Sequence, residues 1–252
     1  SSADPGNGAV PPRTRRPIVK RSHKKTALIT GATGQLGWAV ANFLHDQGWR
    51  LLLLARNGQA MQLAFGHLPD VVLLDVDLTQ REALIARVQA ALGQEAHLDA
   101  VCHLAGGFHM GDGVDALSLP TWEYLLNLNT TSFLNLAAAV VPTLKQQGAG
   151  HVVTVGAAAA ARGQAHMGAY CAAKSALQRL TEALSAELKM DGINVNCVLP
   201  TMLDTPDNRA AMPDANPATW VQPKDLAEVI GFLISGGARA IHGAAIPVAG
   251  RV

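Results

Sequence analysis

Tyr170 and Lys174 stand four residues apart in "GAYCAAK" (168–174). On a helix this spacing puts both side chains on one face, with Cβ atoms about 5–6 Å apart. An ammonium at that distance favours the phenolate and lowers the tyrosine pKa, which makes the phenol a proton donor usable near neutral pH. A Tyr–Lys pair that reduces carbonyls normally has a hydroxyl partner upstream. Here the upstream stretch is "GAAAAARGQAHMGA" (156–169), and no Ser or Thr occurs anywhere in 155–169. His166 lies one helical turn before Tyr170 and is the candidate to donate in place of a hydroxyl.

A second set of residues is suited to holding a dinucleotide. "TGATGQLG" (30–37) follows an apolar run directly and opens an amphipathic one. Gly31, Gly34 and Gly37 allow a tight turn, close approach of backbone to phosphate, and close packing of helix on strand; Thr33, Gln35 and Leu36 complete the loop. The helix N-terminus then offers free N–H groups and a positive dipole to a pyrophosphate. The next apolar run ends "LLLLARN" (51–57), with Ala55 where an acid would bind the ribose 2′-hydroxyl of NAD and Arg56 suited to the 2′-phosphate of NADP. NADPH is therefore the expected cofactor, in preference to NADH.

These residues need a frame, and the hydropathy pattern supplies one. "TALIT" (26–30), "RLLLLA" (50–55), "DVVLLD" (70–75), "DAVCHLA" (99–105), "GHVVTVG" (150–156), "INVNCVL" (193–199) and "AAIPVA" (244–249) read as strands. Their continuous Val, Leu and Ile content suits a parallel sheet buried on both faces. Leu36, Val40, Phe43 and Leu44 form one helical stripe between strands. Leu177, Leu180, Leu184 and Leu188 form another, continuing the face of Tyr170 and Lys174. Repeated β–α alternation predicts an α/β fold: a single doubly wound Rossmann domain with a parallel seven-stranded sheet over residues 26–252, binding ligands at the carboxyl ends of its strands.

Composition narrows the function classes. The 252 residues are 49% hydrophobic, enough for a large core, and the net charge of +1 argues against a general nucleic-acid or membrane-surface role. No apolar run approaches the roughly 18 residues of a membrane span, and no secretory leader is visible. Residues 1–25 hold seven Lys and Arg against one Asp, with four prolines and no apolar periodicity, and read as a disordered basic tail. Cys102, Cys171 and Cys197 lack metal-ligand spacing and fall in apolar segments. Buried reduced thiols in a cytoplasmic protein without a metal site are the expectation. The helices around Trp122–Leu144 and Tyr170–Met190 carry more apolar surface than one side of the sheet can cover, which predicts a homodimer or homotetramer.

From about residue 25 onward the chain resembles the short-chain dehydrogenase/reductase family, on several motifs in order. Asp77-Leu78 resembles the adenine-contact site after the third strand. "HLAGG" (103–107), with Ala105, Gly106 and Gly107, occupies the place of Asn-Asn-Ala-Gly. "WEYLLNLN" (122–129) puts Asn129 where the family has its helix asparagine, and Tyr170 and Lys174 match Tyr-x-x-x-Lys. "LPTMLDT" (199–205) matches Pro-Gly-x-x-x-Thr, so Pro200, Leu203 and Thr205 would flank the nicotinamide. The resemblance implies that Lys174 holds the ribose hydroxyls and that Asn129 holds a relay water or the helix geometry behind it. Phe108, His109, His166, Met167 and Trp220 would line the substrate pocket.

The departures are as informative. His103 and Leu104 replace the paired asparagines, and a buried His103 bonded to backbone is expected. Ala157 stands where the family serine would be. The quinonoid dihydropteridine reductase branch resembles this chain in lacking the serine, in "AGG" (105–107) and in the loop 198–220. An acceptor that is quinonoid or imine-like delocalises incoming charge, so one acid suffices. The resemblance thus implies NADPH-dependent hydride transfer to a small conjugated acceptor with Tyr170 as the acid. Two alternatives stay open: a ketone/alcohol oxidoreductase using another donor, and a non-catalytic NAD(P)-binding module.

Overall fold

The computed structural model describes residues 23–252; most of the basic tail, residues 1–22, lies outside the described residues. Seven strands form one parallel sheet: β1 (Thr26–Thr30), β2 (Arg50–Ala55), β3 (Val71–Asp75), β4 (Ala100–His103), β5 (Gly150–Val155), β6 (Ile193–Pro200) and β7 (Ala245–Val248). Their spatial order is β3-β2-β1-β4-β5-β6-β7, so the strand order reverses between β1 and β4. That reversal opens a crevice at the carboxyl ends of these two strands, where ligands of doubly wound sheets bind.

Helices cover both faces. On one side α1 (Gln35–Asp46), α2 (Gly58–Phe65) and α8 (Pro223–Leu233) bury Val40, Leu44, Met61, Phe65 and Ile230 against Ile29, Leu51 and Leu53. On the other α3 (Arg81–Leu92), α4 (Leu119–Leu126), α5 (Ser132–Gln147) and α6 (Gly168–Leu188) cover the sheet, with Leu84, Phe133, Leu136 and Leu177 packed on Leu28, Leu52, Leu54 and Val101. Alternate residues of β1 and β2 thus feed opposite cores, as their unbroken apolar runs require. A short helix, α7 (Pro206–Ala211), lies in the loop after β6.

Four strands, β3, β4, β5 and β7, are shorter than their hydropathy implies, and for β3 and β4 the reason is visible. β3 starts at Val71 because Asp70 takes a left-handed conformation, φ 59°. β4 stops at His103 because the next two amides leave the ladder: Leu104 N and Ala105 N donate to Thr30 Oγ1 at 3.1 and 3.2 Å. The Thr30 hydroxyl in turn meets His103 Nδ1 at 3.0 Å, and His103 Nε2 lies 3.4 Å from Ser132 Oγ, which donates to Leu128 O at 2.7 Å. With Thr30 Oγ1 already accepting two amides, its hydrogen goes to Nδ1, so the ring proton sits on Nε2. His103 is fully buried as expected, but its partners are hydroxyls rather than backbone.

Between α4 and α5 the helix widens into a π-helical segment, Asn127–Thr131, that carries Asn129. The whole helical run Leu119–Gln147 has 29 residues and an 18-residue window of mean hydropathy 1.2, enough by length and composition to cross a bilayer. Half of that window is buried inside the domain, which fits a core helix; uninterrupted apolar runs miss it because Asn, Thr and Ser break the sequence. Leu119, Tyr124 and Leu134 remain exposed on this run. All three cysteines are free and buried, and burial pushes the Cys102 thiol up to about 12.

His103 yields a prediction. Burial holds its pKa down at about 3, from 6.5, with the nearby Lys174 charge adding to the effect. The unfolded chain therefore binds a proton below pH 6.5 that the native state refuses until about pH 3, so stability falls as pH drops through this window. His103→Asn should remove roughly 3–5 kcal/mol of that acid loss. Denaturant titrations of both proteins at pH 7 and pH 4 measure it.

Candidate active site

The crevice between β1 and β4 holds a cleft of about 240 Å³. Gly31, Thr33 and Gly34 form one wall, Ala55, Arg56, Asp77 and Thr79 the far end, and Ala105, Gly106 and Leu128 the side toward α4. The glycines are needed for different reasons. Gly31 is left-handed, φ 67°, and a Cβ there would meet Ala105 Cα and N at 2.9 Å. A Cβ on Gly37 would stand 2.0 Å from Gly31 O, so helix and loop touch backbone to backbone. Gly34 is different: its Cβ would meet nothing nearer than Gly31 O at 3.4 Å, so this face is open toward the cleft.

No side chain caps α1, whose N-cap is Gly34, so its first-turn amides are left for an anion. Gln35 and Leu36 begin that helix; Leu36 points into the core and offers the cleft only its backbone. At the far end Asp77 is partly buried, which raises its pKa. Hydrogen bonds from Thr79 N at 2.8 Å and Thr79 Oγ1 at 2.7 Å, with the charge of Arg56, outweigh burial and hold it below the usual carboxylate range. Arg56 itself is exposed. The donor set therefore fits a dinucleotide: open backbone amides, a rim guanidinium and a carboxylate anchored in place.

Gly106 joins this cleft to the Tyr–Lys pair. A Cβ on it would lie 2.8 Å from Asn129 Oδ1 and 2.9 Å from Lys174 Nζ. Asn129 is closed on the same loop, its Oδ1 accepting from Gly107 N and its Nδ2 donating to Gly107 O and Leu125 O, all at 3.0 Å. A π-helical segment often marks a functional site, and here it presents this amide to the 104–107 loop.

Lys174 and Tyr170 share a helix face but not the expected electrostatics. Lys174 Nζ donates to Val155 O at 2.9 Å. Burial pushes Lys174 down to about 8 and Tyr170 up to about 12. The expectation of a tyrosine acidified by its neighbour is corrected: desolvation of each group disfavours its charged form, and the Cys171 thiol beside Tyr170 pushes that phenol the same way. Tyr170 packs with Ala157, Ala160, Cys171 and Met167, and the Phe108 ring meets it edge-on with centroids 5.0 Å apart. The nearest serine downstream, Ser175, is turned to Ala160 O at 2.7 Å and ties the 158–161 turn to α6.

Other expected residues are placed otherwise. His166 is not one helical turn before Tyr170: α6 begins at Gly168, and His166 is exposed with φ 62°. Its carbonyl accepts Gly111 N at 2.9 Å and pins the loop after β4. His109 is exposed on that same loop. Pro200 ends β6 at the carboxyl edge. Leu203 bridges to Val221, and the Thr205 hydroxyl caps α7 by accepting Asn208 N at 3.2 Å. Trp220 is buried where the loop folds back beside Gly250, a packing position rather than a pocket wall. Sequence reasoning missed Leu128 and Tyr124, whose hydroxyl would lie 3.9 Å from a Cβ on Gly107. Both lie inside the 122–129 motif, Tyr124 on α4 and Leu128 on the π-helical segment, but the motif does not say which of its side chains reach the loop.

Known proteins similar to this chain are numerous. The family model described as short chain dehydrogenase matches residues 25–216. A 3-oxoacyl-(acyl-carrier-protein) reductase of Chlamydia trachomatis is 28% identical over 244 residues, covering 90% of this chain and 96% of that protein. Among solved structures, a short-chain type dehydrogenase/reductase from Mycobacterium ulcerans superposes with a TM-score of 0.85 at 23% identity, over 90% of this chain and 89% of that one. A 3-ketoacyl-(acyl-carrier-protein) reductase from Brucella melitensis, complexed with NADH, gives 0.81 at 25% identity, over 90% and 98%.

The buried lysine generates a prediction with two readouts. Its folded pKa of about 8 lies below the unfolded 10.5, so the native state carries a desolvation cost at neutral pH that is relieved as pH rises from about 8 to 10.5. Lys174→Met should raise the stability of the ligand-free protein by about 2–3 kcal/mol at pH 7 and by little at pH 10.5. The same variant should lose cofactor affinity. Thermal melts at both pH values and a cofactor titration check the pair.

Proposed function

The chain belongs to the short-chain dehydrogenase family and is an NAD(P)H-dependent oxidoreductase of that type, and from this we propose that it is an NADPH-dependent reductase of a small conjugated acceptor, quinonoid, imine or carbonyl, with Tyr170 as its acid. The observation that carries the reading is the apolar shell of Tyr170, in which Ala157, the position where the family serine would stand, is buried with Ala160. In this respect the site resembles the serine-less dihydropteridine reductase branch.

The cofactor, when bound, supplies the hydride. The amides of the 31–37 loop and of the first turn of α1 would hold its pyrophosphate, Arg56 its 2′-phosphate, and Asp77 with Leu78 its adenine. Lys174, 2.9 Å from Val155 O, is placed to exchange part of that bond for ribose hydroxyls. Pro200, Leu203 and Thr205 would border the nicotinamide. A phenol held protonated by burial keeps its proton until charge develops beside it, and Tyr170 then delivers it to the acceptor as the hydride arrives. Phe108, edge-on to that ring, and Met167 flank the acceptor's approach, and both favour a flat apolar molecule.

A second reading has its own support. The relatives from Chlamydia and Brucella are named as reductases of 3-oxoacyl or 3-ketoacyl groups, which are ketones. The two readings differ at residue 157. For a conjugated acceptor a hydroxyl there adds little, whereas a missing oxyanion donor costs ketone reduction about 2.7–4 kcal/mol.

Three variants test the reading. Arg56→Ala should weaken NADPH binding by about 1–3 kcal/mol and leave NADH nearly unchanged, as for a charge-assisted bond to phosphate; equal affinity of the unaltered protein for both cofactors would sink the NADPH assignment. Ala157→Ser should leave kcat/KM for the best quinonoid or imine acceptor within about threefold and raise it for simple ketones by tenfold or more. Tyr170→Phe, assayed alongside, should lower kcat about 10²–10⁴-fold with cofactor binding intact. A large gain on the best native substrate from Ala157→Ser would transfer the assignment to ketones. Full activity in Tyr170→Phe would remove the tyrosine from the mechanism.

A further inference from the structure

At the edge opposite the cleft, where the parallel strands begin, three side chains far apart in sequence converge. His23 precedes β1, and His97 and Asp99 precede β4. His23 Nε2 lies 3.1 Å and His97 Nδ1 3.3 Å from Asp99 Oδ1. The three donor atoms all fall within 4.8 Å of one another. Thr26 N donates to Asp99 Oδ2 at 2.9 Å and fixes the carboxylate.

The arrangement is incomplete as a set of hydrogen bonds. His97 Nδ1 is shielded from solvent and has no hydrogen-bond partner: its contact with Asp99 lacks the alignment of one. A buried polar atom left this way costs about 1–3 kcal/mol, and such an atom in a native fold calls for an explanation. Beside it opens a cavity of about 110 Å³, bordered by His97, Asp99, Trp49, Lys25 and His151. His151 Nδ1, on its wall, is likewise buried without a partner.

Ligand chemistry accounts for these features together. Two imidazole nitrogens and a carboxylate oxygen suit zinc and its transition-metal neighbours, whereas calcium and magnesium favour all-oxygen sets. With legs of about 2.0–2.1 Å, a tetrahedral zinc ion separates adjacent ligand atoms by about 3.3–3.4 Å. The two measured N···O separations are close to such edges. We propose that His23, His97 and Asp99 form a site for one divalent transition-metal ion of the zinc type, its fourth position filled by water from the adjoining cavity. A water occupies about 30 Å³ of liquid, so the space is sufficient. Lys25 is the opposing charge; its Nζ is drawn 5.2 Å over the Trp49 ring, and its field keeps the affinity below that of an all-thiolate structural site. Because His23 stands at the start of β1 and the other two ligands at the start of β4, a bound ion would tie these strands at their amino ends and stabilise the native chain by mass action.

The experiment uses the full chain without an affinity tag, stripped with chelator, dialysed, and titrated with Co²⁺ and then Zn²⁺. One Co²⁺ per chain should bind with the visible absorption of a tetrahedral nitrogen–oxygen site, and Zn²⁺ should displace it. His23→Gln, His97→Gln and Asp99→Asn should each weaken binding by more than the roughly 10–100-fold that follows loss of an outer-shell partner. His23 is exposed, so its replacement leaves the core untouched, and retained NADPH binding in each variant separates loss of the site from loss of the fold. Reductase activity of His23→Gln should equal that of the unaltered protein. Absence of stoichiometric binding, or binding that His23→Gln and Asp99→Asn leave unchanged, would overturn the proposal.

Discussion

The Thr30 hydroxyl holds the cleft open. It accepts two amides of the loop after β4 and gives its own hydrogen to His103, which reaches on to Ser132 and, through it, to the carbonyl of Leu128. One buried polar chain thereby fixes the end of β1, the end of β4 and the π-helical segment that carries Asn129. Each member is satisfied by the next, and a fully satisfied network in a low-dielectric interior specifies a single arrangement. The glycine-rich loop, Gly106 and Asn129 take their positions from it.

Desolvation governs what this frame can do. The lysine ammonium is buried and has a carbonyl to hold it, while the phenol of Tyr170 sits among alanines, a cysteine and a methionine. The ligand-free protein thus stores an unfavourable charge beside a protonated acid. A cofactor whose hydroxyls solvate Lys174 would relieve the first while leaving the second in place, which couples cofactor binding to readiness for chemistry.

Much of the fold was legible in the sequence, because buried parallel strands leave unbroken apolar runs and a glycine-rich turn has few other uses directly after one. The seven strands, the βα loop at 30–37 and the single Rossmann domain follow from that. Strand ends were less legible: β4 terminates because a threonine from another strand captures its amides. In the candidate site, Tyr170, Lys174, Asn129 and Gly106 could be named from spacing and resemblance, yet the sign of the tyrosine shift could not, since it depends on burial that only packing creates. His166 was misplaced because the helix starts two residues after it. The His23–His97–Asp99 cluster was invisible, since its members are brought together only by the pairing of β1 with β4.

The contact of Gly37 with Gly31 O carries a mechanical implication. A contact between side chains yields by a change of rotamer, but two backbones in van der Waals contact have no such freedom. Helix α1 therefore cannot slide along or roll about its axis without breaking the β1 loop, and its stiffness is that of the polypeptide itself. Whatever anion sits at its first turn inherits that rigidity, so adaptation to acceptors of different size falls to the opposite wall, where the exposed Phe108 stands between residues 104–107, which Thr30 and Asn129 hold, and Gly111, which donates to the His166 carbonyl.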